Sequence, residues 1–466
     1  MASRATPTRA ALATRLLQPI DAAWLAAFRV LFGLALALSM WRFIANGWID
    51  KLFVNPRFFF KYWGFSWVEP LSGPAMNALV WSLGGLSLCV AAGLLFRLTA
   101  PLFALGLIYL QLIDVSTYLN HYYLAALLAL LLAASPAHRL WSADAWLTRR
   151  FWPARARAET VSAAWLYLFR FQIGLVYFFA GLAKLQSDWL IHAQPLRIWL
   201  GASTHLPLVG PLFTLAGVPL LLSWCGFLFD TTIVGFLLYG RTRPFAYAVV
   251  LAFHAMTRLL FPIGMFPVIM SIGALVFFTP GWPRALLRPL RRSAWTPPPP
   301  SDDMDRLARW GLALGVAYCA VQLLLPIRYL AYGGNVLWHE QGMRFSWRVM
   351  VRAKGGGTTF VVHSARTNHT WYVSPRDYLT AMQENEMSSQ PDLILQLAHR
   401  IREDFQARGL GAVEVRAESR AALNGRRSSS LVDPRVDLAS VDDSLLPAGF
   451  ILPAPTALPA HTRPVL

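Results

Sequence analysis

Residues 162–184 read SAAWLYLFRFQIGLVYFFAGLAK. About 20 apolar residues wound as a helix, each rising 1.5 Å, cross the hydrocarbon core of a bilayer. This stretch is long enough to do so, and it carries a cation at its end, Lys184. A charge inside a span costs about 2.5–3.5 kcal/mol on insertion scales. Such a residue therefore needs a partner, a route to water or a function.

The same pattern recurs along the chain. Apolar blocks fall at about 22–45, 76–96, 98–115, 119–135, 162–184, 210–238, 244–260, 263–279 and 307–328, about nine spans in all. Pro262 and Pro267 soften the start of the eighth. The composition agrees: 56% of residues are hydrophobic and 14% charged, where a soluble chain carries about a quarter charged. The first block is too long for the core of a signal peptide and is expected to stay as a span.

The charge of +18 lies largely in the short connections. Arg4, Arg9, Arg15, Arg97, Arg139, Arg149, Arg150, Arg155, Arg157, Arg241, Arg243, Arg284, Arg288, Arg291, Arg292 and Arg306 fall on one side. The other side holds Arg42, Lys51, Arg57, Lys61, Arg197 and Arg258. The positive-inside rule then predicts a cytoplasmic N-terminus and an extracytoplasmic C-terminal region, consistent with a bacterial inner membrane. Without a basic, aromatic-interleaved domain, no nucleic-acid partner is expected. Cys89, Cys225 and Cys319 have neither zinc-ligand spacing nor a disulfide pattern, and no metal is expected.

Residues 46–75 are rich in aromatics and predict an interfacial or re-entrant helix, or the lining of a lipid-accessible pocket. SAWTPPPPSD at 293–302 predicts a stiff cytoplasmic linker. Beyond the last span, RFSWRVMVR (344–352), TTFVVHS (358–364), HTWYVS (369–374) and VEVRA (413–417) predict strands, with Gly355–Gly357 separating the first two. PDLILQLAHRIREDFQAR (391–408) predicts one amphipathic helix. The expected fold is a polytopic all-α transmembrane bundle with a small C-terminal α+β extracytoplasmic domain. Its divisions are a cytoplasmic segment 1–21, a transmembrane domain 22–329, a soluble domain 330–440 and an extended tail 441–466.

Arg29, Asp114, His121, Arg170, Lys184, Asp230 and His254 are the ionisable groups within spans. Orientation places Lys184, His121 and His254 near the outer leaflet, where they are expected to converge on one pocket. A desolvated lysine that loses its proton is a competent general base. A snorkelling Lys184 and hydrogen-bonded core histidines are the plainer alternatives. Asp188, four residues after Lys184, is a candidate partner that would keep the lysine charged and so argue against the base role. Asp114 and Asp230 are candidate partners for Arg29 or Arg170.

At these residues the chain resembles a known family. FRVLFG (28–33), IDVSTYLNHYYL (113–124), YFFAGLAKLQSDW (177–189), FHAMTRLLFPIGMFP (253–267), EQGMRFSWRVM (340–350) and VDPRVDLA (432–439) are similar, in order, to the vitamin K-dependent γ-glutamyl carboxylases and their bacterial HTTM-domain relatives. The resemblance implies a lyase that uses reduced vitamin K, dioxygen and carbon dioxide. Lys184 would deprotonate the hydroquinone, its oxygenation would give a strong base and the epoxide, and a glutamate would be γ-carboxylated. It implies catalytic roles for Lys184, His121 and His254, and quinol-binding roles for Asn120, Tyr118, Tyr177 and Trp189. Asp114, Asp188, Asp230, Arg29, Arg170 and Trp347 are left as structural or unassigned.

The implied partners are the lipid bilayer, the lipid-soluble quinol and a glutamate-containing peptide. The chain departs from the animal enzymes in three places. Ala183 precedes Lys184 where they have a second lysine, Arg344 and Arg348 occupy the FSWRVM region, and the C-terminal region is shorter. Quinol oxygenation without carboxylation is therefore the alternative activity. Non-catalytic quinone or lipid binding is an alternative of another class. A transporter would be favoured by broken helices and inverted repeats, which the sequence does not display.

Overall fold

The computed structural model describes residues 9–155, 159–287 and 306–460. The proline linker expected at 293–302 lies outside them. Each block of apolar sequence has become a helix, because a span must satisfy its backbone internally. The N-terminal part runs α1 (Arg9–Leu17), β1 (Pro19–Asp21), α2 (Ala23–Ala45), α3 (Gly73–Ala92), α4 (Phe96–Leu112), α5 (Asn120–Ala134), α6 (Ala143–Phe151) and β2 (Thr160–Ser162). It continues through α7 (Ala163–Lys184), α8 (Ser187–Leu190), α9 (Leu196–Gly201), α10 (Val218–Leu238), α11 (Arg243–Leu260), α12 (Phe266–Ala274), α13 (Trp282–Leu287) and α14 (Arg306–Ile327). Among the described residues, five helices are long and apolar enough to cross a membrane: α2, α3, α7, α10 and the stretch Trp310–Ala331. α4, α5 and the stretch Phe266–Phe277 are shorter apolar helices. This is an integral membrane fold.

β1 pairs antiparallel with β2 and ties the start of α2 to the start of α7. At the same end Arg284 bridges Asp21 and Glu159, at 2.8 and 2.7 Å.

Residues 46–75 correct one expectation. They hold only a short helical stretch at 48–54, π-helical over Asp50–Val54, and then irregular chain up to the start of α3 at Gly73, in place of a longer interfacial helix. Pro56, Gly64 and Pro70 interrupt any helix there. The segment is instead pinned to the C-terminal domain: Lys61 N–H donates to Gln396 Oε1 (2.9 Å), and Phe60 is fully buried beneath that domain.

The C-terminal region adds α15 (Val336–His339), β3 (Lys354–Ser364), β4 (His369–Val373), α16 (Ala381–Met387), α17 (Pro391–Ala407), β5 (Val413–Leu423) and β6 (Ser429–Ser430). The sheet is antiparallel, in the order β4-β3-β5-β6. On β5, Val413, Val415, Ala417, Ser419, Ala421 and Leu423 are buried, the period of two that a half-covered strand requires. α17 covers this face with Leu393, Ile394, Leu397, Ala398, Ile401 and Phe405, at helical spacing.

Two predicted strand features are corrected. Gly355–Gly357 do not separate strands but lie inside β3, paired with Arg420–Ala422. RFSWRVMVR is not a strand: Phe345, Trp347 and Met350 have φ of 64°, 57° and 55°. A left-handed residue reverses the chain and breaks the ladder. The segment dips into the bundle, where Trp347 is fully buried and stacks on Tyr123 (4.9 Å between centroids). The final stretch forms an isolated bridge, Val432 with Ile451, and is anchored by buried Phe450 and by Trp338 Nε1, which donates to Leu452 O (2.8 Å).

Candidate functional site

Lys184 is the last residue of α7, yet apolar chain continues beyond it. About three turns of α10 precede Asp230, its neighbour, and they carry exposed Leu221, Trp224 and Leu228. Leu185, Ile191, Leu212 and Leu215 on the connecting segment are exposed too. Lys184 is thus roofed by apolar chain rather than led to water, and is 5% exposed.

Gly181 lets α10 approach. A Cβ there would lie 2.7 Å from Thr231 Cγ2 and 3.2 Å from the Thr231 nitrogen. With the two backbones this close, Lys184 Nζ reaches Asp230 Oδ2 at 2.7 Å. Nζ also donates to Ala180 O (3.2 Å) and to Val349 O (3.5 Å), and lies 5.1 Å from the centre of the Trp189 ring. Trp189 is fixed through Nε1, which donates to Ser223 O (2.8 Å).

The pair opens onto an apolar cavity between α7, α10, α11 and the start of α12. Val176, Leu200, Phe253, Leu260, Phe266 and Met270 line it, with Tyr177, Trp189 and His254. Tyr177 Oη and His254 Nε2 are 3.0 Å apart, while His254 Nδ1 is buried with no partner. The cavity thus offers an amine–carboxylate pair on one wall and an imidazole on another, among hydrocarbon.

The expected single pocket is corrected at His121. Its side chain lies in a second apolar cavity with Phe43, Leu107, Gln111 and Met265. α12 and the turn before it are the divider: Ile263, Phe266 and Met270 face the Lys184 cavity, Met265 and Ile269 the His121 cavity. Tyr118 and Asn120 face a third, polar cavity under the C-terminal domain. Tyr118 Oη donates to Asn120 Oδ1 (3.1 Å) and accepts from Phe345 N–H (2.8 Å).

The expected ion pairs are corrected as well. α7 ends at Lys184 and the chain turns at Leu185, so the four-residue spacing to Asp188 is not helical. Asp188 instead meets Arg426 through two bonds of 2.7 Å, and Asn424 at 3.0 Å. Burial opposes its ionisation, but these bonds prevail and hold the carboxyl below the usual carboxylate range. Asp114 caps a turn by accepting from Ser116 N–H and also accepts from Gln383 (2.8 Å each).

Arg29 and Arg170 bond to backbone carbonyls, most of them at helix C-termini, where the last four are orphaned. Arg29 reaches Val90 O, Ala91 O and Trp141 O at 3.0, 2.5 and 2.6 Å. Arg170 reaches Val276 O, Phe277 O and Phe278 O at 2.8–3.1 Å. Local sequence does not reveal the partnership of Lys184 with Asp230, because 46 residues separate them. The available signal was an acid and a lysine in consecutive long spans.

Two family matches account for most of the chain. The HTTM domain matches residues 17–282, and the vitamin K-dependent gamma-carboxylase lumenal domain matches residues 307–457. No solved structure matches it. The helical bundle with its lysine-bearing cavity is the HTTM part, the α+β cap is the lumenal-type part, and the chain belongs to the vitamin K-dependent gamma-carboxylase family.

Proposed function

We propose that the chain is a membrane carboxylase of the quinol-dependent kind, with the Lys184–Asp230 pair as the base that receives a hydroquinone proton. One observation carries this: a buried lysine–aspartate pair forms the polar wall of an otherwise hydrocarbon cavity. A reduced vitamin K head suits such a lining, with Trp189 and Phe253 for its rings and the unpaired Nδ1 of His254 for a hydroxyl. When bound, the hydroquinone supplies with dioxygen the strong base that removes the acceptor's proton, and carbon dioxide becomes the new carboxylate.

The residues do the following. Lys184 and Asp230 share one proton and accept a second, ending as ammonium and carboxylic acid. The resulting positive charge balances the negative charge gained by the ligand. Tyr177 fixes the His254 ring through Nε2 and leaves Nδ1 for the ligand. The apolar walls exclude water, which would otherwise protonate a carbanion. The charge bias of the loops supports a cytoplasmic N-terminus and an extracytoplasmic cap.

The test is epoxide formation by the purified protein from reduced vitamin K and oxygen, with and without Lys184→Ala. Equal rates would overturn the base assignment. Labelled carbon dioxide supplied with a glutamate peptide decides between carboxylation and epoxidation alone.

A further inference from the structure

A fourth cavity lies at the end of the bundle away from Lys184 and has no part in the reaction proposed above. It measures about 90 Å³, and His138, Arg139, Asp144, Thr148, Arg149 and Arg155 line it. Arg139 Nη1 donates to Thr160 O (3.0 Å), just before α7 begins. The 22 residues of α7 then separate that point from Lys184 by about 33 Å, the thickness of a hydrocarbon core.

The sequence SADAWLTRR (142–150) builds this cavity. Ser142 accepts from Ala145 N–H (2.9 Å) and so starts α6. Its hydroxyl donates to His138 O, which fixes the helix against the turn that carries His138 and Arg139. The Asp144 carboxylate accepts from Leu95 N–H (2.7 Å) and Phe96 N–H (2.8 Å) at the start of α4. α6 is thus clamped on two sides, and Asp144, Ala145, Thr148 and Arg149 meet the cavity at helical spacing.

Among the described residues of its walls stand three guanidinium groups and one carboxylate. That carboxylate is already spent on two backbone N–H groups. Arg149 also meets Glu159 (2.6 Å), but Glu159 is shared with Arg284 (2.7 Å). Arg155 is exposed. The walls keep an excess of positive charge, in forked groups that match phosphate oxygens.

The surroundings say which phosphate. Trp146, Phe151 and Trp152 are more than half exposed, and so are Leu95 and Leu98 on the chain that Asp144 caps. Exposed indoles beside arginines settle at the headgroup level of a bilayer, with apolar side chains in the acyl region. A soluble anion has no use for these rings and leucines, whereas a phospholipid covers them.

We propose that this cavity seats the phosphate of an anionic phospholipid, with Arg139, Arg149 and Arg155 as its cations and the acyl chains along Leu95 and Leu98. On the orientation proposed above, the lipid belongs to the cytoplasmic leaflet. It ties the start of α4 and α6 to the start of α7, and it is independent of the chemistry at Lys184.

Native mass spectrometry tests this. The full chain in detergent micelles is titrated with phosphatidylglycerol or phosphatidylcholine, and the lipids retained are counted. One phosphatidylglycerol is expected to bind at least about tenfold more tightly than phosphatidylcholine. Arg149→Gln and Arg155→Gln are each expected to weaken it about fivefold, the effect of one arginine on an anionic headgroup. Thr148→Glu, which sets a carboxylate on the wall, is expected to weaken it at least as much, and it serves if Arg149→Gln fails to fold. Arg150→Gln removes the same charge from the same helix outside the cavity and is expected to change binding by less than about twofold.

Equal affinity for the two lipids overturns the proposal. So does phosphatidylglycerol binding that ignores Arg149→Gln, Arg155→Gln and Thr148→Glu alike. A loss in Arg150→Gln as large as in Arg155→Gln overturns it too, since that is charge attraction without a site. Inorganic phosphate that binds the cavity more tightly than phosphatidylglycerol makes it a soluble-phosphate site, and the lipid assignment falls.

Discussion

Arg29 and Lys184 are both cations in apolar helices, 0% and 5% exposed, and the fold treats them in opposite ways. Arg29 is locked. Three carbonyls hold its guanidinium, and Gly93, with φ of 66°, presses against it so closely that a Cβ would lie 2.5 Å from Nη1. Carbonyls neither gain nor lose protons, and no space is left for a ligand. Lys184 faces a carboxylate and a void. The same insertion cost thus buys architecture at one end of the bundle and a titratable pair at the other. A buried charge is chemical where its partner can exchange a proton and a cavity adjoins it.

The strongest way to break this comparison is Lys184→Ala. Epoxide formation is expected to fall about 10²- to 10⁴-fold, the usual contribution of a positioned base. A loss smaller than about tenfold, in protein that still melts cooperatively, would make Lys184 structural like Arg29. The reciprocal change is Arg29→Met. It strips the donor from three buried carbonyls and is expected to cost about 3 kcal/mol or more in unfolding free energy. Turnover per folded molecule should change by less than about twofold, because the sites are distant. A large loss of turnover at full stability would show that the far end takes part in the reaction.

A third substitution sharpens the contrast. Replacing both members of the pair, Lys184→Met with Asp230→Leu, removes two buried ions and fills the space with hydrocarbon. Such replacements are often neutral or stabilising by about 1–4 kcal/mol. The double variant is expected to be inactive and at least as stable as the parent in a denaturant titration. Marked destabilisation would mean that the pair is retained for folding.

The helices were legible because length and hydrophobicity dictate a span almost regardless of context. Lys184 and His254 were legible for the same reason, since a charge or imidazole in hydrocarbon stands out. Their assembly was not. Asp230 reaches Lys184 through a close helix approach at Gly181, and nothing local records that approach. His121 and Lys184 share a depth in the topology but are divided by α12, a matter of lateral packing. The alternation of RFSWRVMVR imitates a strand, and the left-handed turns at Phe345, Trp347 and Met350 leave no compositional trace. That misread segment supplies the carbonyl on Lys184 and the wall between two cavities.

The smallest effect concerns Asp188, the acid that sequence spacing offers as a partner for Lys184. It lies outside the spans and fastens the cap to the bundle through Arg426 and Asn424. Its carboxyl is held below the usual range, so the folded form binds its proton less readily than the unfolded chain. The stabilisation is therefore complete above the unfolded value of about 4 and is lost as pH falls through the lower, folded value. Above pH 5 the cap should be fully fastened, and in stronger acid it should loosen by an amount on the order of 1 kcal/mol, as expected of a screened ion pair. Hydrogen exchange of β5 and the residues after it, followed between pH 6 and pH 3 after correction for intrinsic rates, reads this directly. Arg426→Gln should loosen the cap at neutral pH and flatten the dependence. An unchanged acid profile in that variant would move the pH sensitivity to another carboxylate and leave the Asp188 contact as packing alone.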